Sequence, residues 1–391
     1  MQLTANKTSI FAFAAQSGLI IGIGIGRFSY TALIPVMVND GIITLTQGGY
    51  TAALNIFGYV IGALFSSRLA VRFCPIALLR VSLIISVSVL IFSALNFGLI
   101  WLGALRFAIG FTAGILMSIG ASIVLGVTKQ EQLANVSATI FSGIGLGIVA
   151  SSLLIYLLEP YGASACWIGL ASLSLLLLPI SFHGWKELST TYQRLVPCNK
   201  LMPVSVSASN FSLRNLQSRT GFAYGLYGLA LAPQTLFWLE FISETTGYSE
   251  QQAIFFWIIA GCGALSGAVI AGWIARLVGF YRAVLVCLLI GFLGLILPII
   301  STGNASLFLA SYCFGFSLPG LPVVIAGRMR ELTAPGQLAA VWGVLTASVA
   351  IGQGAGGFIV ATIFDWSNSF SVLFVFGAVL YLLSAVLCLK K

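Results

Sequence analysis

The stretch GLIIGIGIGRFSYTALIP, residues 18–35, is an apolar segment that carries a single charged residue, Arg27. The hydrophobic run around it extends from about residue 10 to residue 39, which exceeds the roughly 20 residues that cross a bilayer as a helix. An arginine in the hydrocarbon region costs about 3 to 10 kcal/mol unless it faces other helices, a water-filled cavity or an anion. The stretch therefore predicts a first membrane span in which Arg27 lines a transport path.

Glycines recur at intervals of four residues along this predicted span. Gly18, Gly22 and Gly26 fall on one face of a helix, where small residues let the backbone of another helix approach closely. Gly24 and Tyr30 flank the side of the helix that carries the arginine. We expect one face to pack against other helices and the neighbouring face to carry the chemistry.

The composition of the chain is that of a membrane protein. Of 391 residues, 59% are hydrophobic and 7% are charged, and the mean hydropathy is +1.06. Soluble globular proteins contain about 25% charged residues. The sequence therefore predicts an all-α polytopic membrane protein, and its N-terminal segment is expected to stay in place as the first span.

Apolar runs of 18 residues or more, separated by charged or turn-like breaks, set the expected number of spans. The sequence predicts about twelve transmembrane helices. The runs lie near residues 10–38, 47–67, 76–95, 98–123, 133–157, 163–182, 220–241, 252–274, 283–300, 305–326, 337–362 and 369–389.

The basic residues are distributed asymmetrically between the predicted loops. Sixteen of the 18 lysines and arginines fall on one side, and the other two, Arg27 and Arg106, lie inside spans. By the positive-inside rule, both termini are cytoplasmic in a multi-pass protein of the cell (inner) membrane. This placement accounts for the net charge of +9, so no nucleic-acid partner is expected. The opposite side carries only acidic residues, which are Asp40, Glu159, Glu240, Glu244, Glu250 and Asp365.

The longest polar break divides the predicted spans six and six. We therefore expect an N-terminal six-helix half over residues 1–182, a cytoplasmic linker over 183–219 and a C-terminal six-helix half over 220–391. Two such halves joined by a long loop are typical of duplicated transporters, in which the substrate site lies between the halves near the bilayer midplane.

Several strings resemble a known family. The architecture, with GALFSSRLAVRF (62–73) and RFAIG (106–110), resembles the major facilitator superfamily along essentially the whole chain. The strings GIGIGRFSYTALIP (22–35) and NIFGYVIGAL (55–64) resemble more narrowly its YbfB/YjiJ-type branch. The resemblance implies the major facilitator fold, with the first, fourth, seventh and tenth spans lining a cavity, and it slightly favours efflux over uptake.

The chain departs from the motifs of that superfamily at several positions. Val71 stands where the first cytoplasmic loop usually has an acidic residue, and Arg276 stands there in the second copy. Ile148 replaces the proline of the fifth-span antiporter motif. The usual charge-relay gate and an obligatory proton antiport are therefore not supported by these motifs.

The two arginines inside spans are the strongest candidates for substrate recognition. With a helical rise of 1.5 Å per residue, Arg27 lies about 20 Å below Asp40, and Arg106 lies about 12 Å below Gly98. No acidic residue lies at a comparable depth in the first six spans, so the pair is expected to bind an anion. The alternative is that each arginine bonds helix-end carbonyls or Asn55 and only braces the N-terminal half.

The seventh span, AYGLYGLALAPQTLFWLE (223–240), is interrupted by Pro233, and broken helices expose carbonyls in transporter sites. Its aromatic residues are also compatible with an ordinary packed face. In the tenth span, Tyr312 precedes a hinge rich in glycine and proline. The candidate substrate-binding residues are Arg27, Tyr30, Asn55, Arg106, Tyr224, Tyr227, Gln234, Trp238 and Tyr312, and Glu240 at the outer rim is the candidate coupling residue.

A secondary transporter that works by alternating access is the function these features favour. The substrate class that fits the arginines is an anionic or carboxylate-bearing metabolite, while sugars and amphipathic drugs stay open. The alternatives are a non-transporting sensor or scaffold and a membrane-embedded enzyme, and we expect no enzyme because the spans contain no catalytic base or carboxylate cluster. We also expect no cofactor, metal or disulfide, a lipid bilayer and a small solute as partners, H+ as the candidate coupling ion, and a monomer.

The predicted topology can be tested at Cys198, which lies in the 183–219 segment. A membrane-impermeant maleimide is expected to leave Cys198 unlabelled in intact cells, because the basic residues hold this segment in the cytoplasm. The same reagent should label it after the cells are permeabilised, and labelling from outside intact cells would overturn the topology.

Overall fold

The computed structural model describes residues 5–195, 211–248, 250–333 and 337–389. Nearly all of these residues are helical, and no strand occurs among them. Ten helices in the described ranges are long and apolar enough to cross a membrane. One of them, Phe255–Ile300, contains a break at Gly279 and supplies two passes. The helix before it, Phe211–Ala230 followed by Ala232–Thr246, is interrupted and supplies one further pass. The prediction of an all-α protein with about twelve transmembrane helices is confirmed.

The N-terminal half consists of the first six spans, and two of these contain π-helical segments. The first span comprises Ala5–Leu19, the π-helix Ile20–Phe28 and Ser29–Asn39, and the fourth comprises Leu99–Ile115, the π-helix Leu116–Gly120 and Ala121–Val127. The second, third, fifth and sixth spans are Leu45–Arg72, Pro75–Ser93, Leu133–Leu158 and Ala163–Leu195, with short 3₁₀ turns at Gln130–Gln132 and Glu159–Tyr161.

The C-terminal half contains the other six spans. The seventh is formed by Phe211–Ala230 and Ala232–Thr246, and the eighth and ninth share Glu250–Ile300 on either side of Gly279. The tenth, eleventh and twelfth are Asn304–Leu332, Leu338–Ser367 and Phe370–Leu389.

Helix enters the predicted linker from both sides. The sixth span continues beyond residue 182 as far as Leu195, and the seventh begins at Phe211. Trp185 stabilises this extension, because its ring is buried and its Nε1 donates to Ser181 Oγ at 3.0 Å. Residues 196–210 lie outside the described residues, so the linker boundaries at 183 and 219 stay a prediction.

Local sequence signals set the turns between spans. The second span begins with a capping box, in which the Gln47 backbone N–H donates to Thr44 Oγ1 at 3.2 Å and the Thr44 N–H donates to Gln47 Oε1 at 2.9 Å. Pro75 occupies the first turn of the third span, where a helix needs no N–H donor. Gly279 adopts a φ of +80°, which favours glycine, and it turns the chain between the eighth and ninth spans.

The glycines of the first span pack against two different helices. A Cβ atom on Gly22 would lie 2.9 Å from the side chain of Leu116 in the fourth span. One on Gly26 would lie 3.0 Å from the side chain of Ile109 in the same span. A Cβ atom on Gly24 would lie 2.5 Å from the Cα of Gly147 in the fifth span. Among the glycines of the first span, Gly24 therefore has the closest contact with another backbone, although the sequence places it on the arginine's side.

The two halves are joined at the inner end of the molecule, which we define as the end that contains the turns at residues 72–75 and 127–133. Arg330 of the tenth span donates from Nε to the Leu125 carbonyl at 3.1 Å and from Nη2 to the Gly126 carbonyl at 3.4 Å. Ser137 Oγ donates to the Val323 carbonyl at 3.0 Å. The arginine therefore caps the C-terminal end of the fourth span from the opposite half.

Two further contacts close the inner part of the interface. Trp342 Nε1 of the eleventh span donates to the Met117 carbonyl at 3.1 Å, and Gln130 Nε2 donates to Glu331 Oε1 at 3.1 Å. Among the described residues, no hydrogen bond joins the halves near the outer turns 39–45 and 93–99. The hydrogen bonds between the described residues of the two halves are thus concentrated toward the inner end.

The packing of Gly24 can be tested with the smallest substitution, Gly24→Ala. The added methyl group is expected to lower the free energy of unfolding by about 1 to 3 kcal/mol, because it overpacks a backbone contact with the fifth span. The measurement is the melting temperature of the purified protein in detergent. Gly49→Ala is the control, since nothing lies within 4 Å of a Cβ atom there. Equal melting temperatures for the two variants would contradict this packing.

The cap formed by Arg330 can be tested with a cysteine reporter in the inner interface. Ser137→Cys in a cysteine-free background should react slowly with a thiol reagent, because Ser137 is fully buried. Arg330→Ala is expected to accelerate the labelling, since it removes both bonds to the fourth span. Arg282→Ala is the matched control, because Arg282 is exposed in the C-terminal half and forms none of the hydrogen bonds between the halves that are described above. Equal labelling rates for the two alanine variants would contradict the role of Arg330.

Candidate functional site

Arg27 lies at the boundary between the halves. Its Nη2 donates a hydrogen bond to Oε1 of Gln353 in the eleventh span. Its guanidinium carbon lies 4.9 Å from the ring centroid of Tyr59 and 5.5 Å from that of Phe28. The side chain is only partly buried, in contrast with most of the first span around it. Arg27 therefore connects the halves and keeps part of its surface accessible.

The π-helical segments explain how polar groups are placed inside apolar spans. A π-helix has wider turns than an α-helix and is frequent at functional sites. The carbonyl of Gly26 in the first segment accepts a bond from Arg106, and the carbonyl of Met117 in the second accepts one from Trp342. A proline inside a helix usually causes a kink, yet Pro35 lies within a continuous α-helix, and the irregular stretch of the first span coincides with the glycines.

Arg106 is enclosed within the N-terminal half. Its side chain is 1% exposed, and its Nη2 donates to the Gly26 carbonyl at 3.0 Å. The guanidinium carbon lies 4.0 Å from the ring centroid of Tyr30, whereas Nε and Nη1 are buried without a partner. Our expectation that both guanidinium groups point into one pocket is therefore not met at Arg106. The reason is that Gly26 and Tyr30 offer an acceptor and a π-face inside the half.

Tyr30 and Asn55 also serve the packing of this half. The hydroxyl groups of Tyr30 and Thr51 are 2.5 Å apart, and the Tyr30 ring lies 6.2 Å from that of Trp167. Asn55 Nδ2 donates to the Arg106 carbonyl at 3.1 Å, so it joins the second span to the fourth. Both side chains are buried.

The seventh span is interrupted at Leu231, two residues before Pro233, as its sequence predicts. On its inner part, the rings of Tyr224 and Tyr227 stack at 5.5 Å with an interplanar angle of 2°. Tyr227 donates to the Ser317 carbonyl at 2.7 Å, whereas Tyr224 lies 6.3 Å from Trp342, which contacts the other half. Tyr224 is thus the residue of this pair that is nearer to the interface.

The remaining candidates do not converge on Arg27. Gln234 Nε2 donates to the Gly294 carbonyl at 2.9 Å, and Trp238 Nε1 donates to Ser311 Oγ at 3.0 Å, so both are buried inside the C-terminal half. The hydroxyl of Tyr312 lies 2.7 Å from Ser266 Oγ in the eighth span. Glu240 is exposed and forms no ion pair with any described residue.

The electrostatics of the site are dominated by unpaired positive charge. An ion pair at 3.3 Å joins Arg328 to Glu331, and it involves neither Arg27 nor Arg106. Neither Arg27 nor Arg106 has a carboxylate partner among the described residues, and the part of the chain that the structure describes contains no group of three His, Cys, Asp or Glu side chains that could hold a metal ion. The arrangement suits an anion rather than a cation.

Comparison with known families agrees with this architecture. The family model described as "Uncharacterised MFS-type transporter YbfB" matches residues 19–389. The chain belongs to this family of MFS-type transporters. It is therefore a multi-pass membrane protein of the major facilitator superfamily. The uncharacterized MFS-type transporter YtbD of Bacillus subtilis (strain 168) is 27% identical over 146 residues, which are 37% of this chain and 37% of that relative.

Solved structures of other transporters have the same fold. The human organic anion transporter MFSD10 (TETRAN) superposes with a TM-score of 0.74 over 99% of this chain and 100% of that chain, at 15% identity. A bacterial homologue of the iron transporter ferroportin, in an outward-facing state with soaked iron, gives a TM-score of 0.72 over 99% of each chain, also at 15% identity. These similarities show the major facilitator fold.

Two residues next to Arg27 were not predicted from the sequence. Tyr59 lies within NIFGYVIGAL, and Gln353 lies within the glycine-rich string GQGAGG of the eleventh span. A lone amide between glycines in an apolar span is a signal that could have drawn attention to Gln353. The pairing of Gln353 with Arg27, across 326 positions of sequence, is visible only in the fold.

Proposed function

We propose that this transporter moves a small anionic or carboxylate-bearing solute across the cell (inner) membrane by alternating access between its two halves. The observation that carries the proposal is Arg27, a partly exposed residue at the interface of the halves whose guanidinium has no carboxylate partner among the described residues. Both termini are placed in the cytoplasm by the distribution of basic residues.

The free energy of the buried charge is the physical basis of the proposal. An arginine at this depth costs about 3 kcal/mol or more without a counter-charge. A neutral amide from Gln353 and the π-faces of Tyr59 and Phe28 offset a part of this cost. A carboxylate or phosphate would offset more, because a guanidinium binds it through two parallel charge-assisted hydrogen bonds.

Arg106 acts as a positioning residue in this proposal. It holds the carbonyl of Gly26, the residue directly before Arg27, and it thereby fixes the π-helical turn that carries the substrate-facing arginine. Its own positive charge is also unpaired by any described carboxylate, so it adds to the electrostatic attraction of an anion toward this region.

The solved structures of similar fold are compatible with this substrate class. MFSD10 is described as an organic anion transporter, and the fold it shares with this chain supports an anion by analogy. For a metal cation such as iron, which was soaked into the ferroportin homologue, the described residues offer no cluster of ligands. The proposed solute is therefore an anion.

Direction and coupling complete the proposal. Efflux is favoured slightly over uptake by the resemblance to the superfamily, and the exposed Glu240 near the outer end of the seventh span is the proposed carrier of a coupling proton. The protein is proposed to act as a monomer. A sensor that keeps the fold without transport is the alternative, and solute flux in proteoliposomes distinguishes the two.

The anion proposal is tested by Arg27→Lys, which keeps the charge and removes the planar fork. Affinity for an anion is expected to fall by about 1.5 to 3 kcal/mol, which is roughly 10- to 100-fold, because a lysine cannot form the bidentate contact. The measurement is ligand-induced thermal stabilisation in detergent with acetate, succinate, citrate and phosphate, with glucose as a neutral comparison.

Two further variants make this result interpretable. Arg106→Lys is expected to lower the melting temperature of the ligand-free protein, since it removes a buried bond to the first span. Arg68→Lys is a control at an exposed position near the inner end of the second span. It should change neither the affinity for the anion nor the melting temperature of the ligand-free protein. Binding of glucose but of no anion, with an affinity that Arg27→Lys leaves intact, would refute the proposal.

A further inference from the structure

We propose that Gln353 is an internal ligand of Arg27 that the transported anion displaces, and that this exchange uncouples the two halves near the middle of the membrane. The proposal rests on the anion transport proposed above and assigns a specificity-determining role to a residue of the eleventh span. It follows from three features of the contact between these residues: its position, its geometry and its charge.

The first feature is position. Within the described residues, the bond between Arg27 and Gln353 is the outermost hydrogen bond that joins the two halves. Gln353 lies 11 residues beyond Trp342 in the same helix, which places it about 16 Å farther from the inner end. Breaking this bond would therefore leave only the inner contacts as hydrogen bonds between the described residues of the two halves.

The second feature is the geometry of the guanidinium. A guanidinium presents two bidentate edges, Nε with Nη2 and Nη1 with Nη2, and both of them include Nη2. Gln353 Oε1 is bound to this Nη2. Tyr59 and Phe28 lie within 4.9 and 5.5 Å of the guanidinium carbon, so they occupy space around the group. Because Nη2 has one N–H group on each edge, Gln353 occupies one of the two edges, and an anion that binds Arg27 through two bonds at this edge must displace the amide.

The third feature is charge. A glutamine oxygen is a neutral acceptor, and bonds from a guanidinium to a carboxylate are roughly twice as strong as bonds between neutral groups. The amide thus holds Arg27 in position, yet it leaves the charge available to a stronger acceptor. A glutamate at position 353 would instead supply a permanent internal counter-ion. The neutral residue is therefore the one that permits exchange with an external anion.

The backbone around Gln353 fixes its place in the interface. A Cβ atom on Gly352 would lie 2.0 Å from the Gly225 carbonyl of the seventh span, and one on Gly354 would lie 3.3 Å from Ile56 of the second span. The two flanking glycines thus let the eleventh span approach a helix of each half. Gln353 is held at the line where both halves meet.

The test compares two substitutions with opposite expected effects. Gln353→Glu is expected to weaken binding of the anion about tenfold or more, because its carboxylate pairs with Arg27. Gln353→Leu is expected to strengthen binding by about threefold to tenfold, because no internal ligand has to leave. Binding is measured with whichever of acetate, succinate, citrate or phosphate stabilises the unmodified protein most, at constant ionic strength.

Controls and a second readout separate this role from a structural one. Gln132→Glu, at the inner end of the fifth span, makes the same change of charge away from Arg27 and should leave affinity unaltered. In the second readout, the anion should accelerate thiol labelling of the Ser137→Cys reporter in the otherwise unmodified protein and should fail to do so with Gln353→Glu. If Gln353 only braced the interface, both substitutions would lower the stability of the protein, and they would not shift the affinity in opposite directions.

Each outcome decides one of the proposals. If none of the four anions stabilises the unmodified protein, anion transport is refuted and this exchange with it. If an anion binds and both Gln353 variants retain the original affinity, only the role of Gln353 is refuted. If Gln353→Glu fails to fold, Gln353→Leu decides alone, since tighter binding supports the exchange and weaker binding overturns it. If both Gln353 variants shift the affinity as expected but the anion does not accelerate labelling of the Ser137→Cys reporter, the uncoupling of the halves is refuted.

Discussion

An arginine without a counter-ion in the middle of the membrane is the constraint around which the interface of this transporter is arranged. Arg27 is charged and lies where desolvation is unfavourable, so its neighbours must compensate without neutralising it. Gln353 supplies an acceptor from the opposite half, and Tyr59 supplies a π-face from the second span. The positive charge that these neutral groups leave unpaired is the basis of the proposed anion site.

The same residue type performs two tasks because its environments differ. Arg106 is sealed inside one half, where it holds the Gly26 carbonyl and stacks on Tyr30, while Arg27 stays partly exposed between the halves. The connection between them is the π-helical turn of the first span, since Arg106 bonds to the residue that precedes Arg27. The Gly26 carbonyl therefore connects the buried Arg106 with the partly exposed Arg27.

Sequence reasoning predicted the features that depend on the bilayer and missed those that depend on contacts between distant helices. The lengths of the apolar runs predicted the spans, because the bilayer thickness fixes how many residues a helix needs. Gly24 was assigned to the arginine's face, although its nearest neighbour is Gly147, because a helix with a π-helical stretch does not keep the α-helical spacing of faces. The pairing of Arg27 with Gln353 depends on how two halves dock, and no local pattern contains that information.

The inner contacts show how the halves are held without the ion pairs that the superfamily's loop motif would supply. Val71 and Arg276 replace the acidic residues of that motif, and most of the hydrogen bonds that close the inner end go to backbone carbonyls, above all those from Arg330. Such bonds contribute about 0.5 to 3 kcal/mol each, so the closed inner end is a shallow minimum rather than a permanent lock. An equilibrium held by a few bonds of this size can be shifted by the differential binding of one small ligand. In the proposed mechanism, the weakness of the inner hydrogen bonds is what would allow a local exchange at Arg27 to shift the two halves.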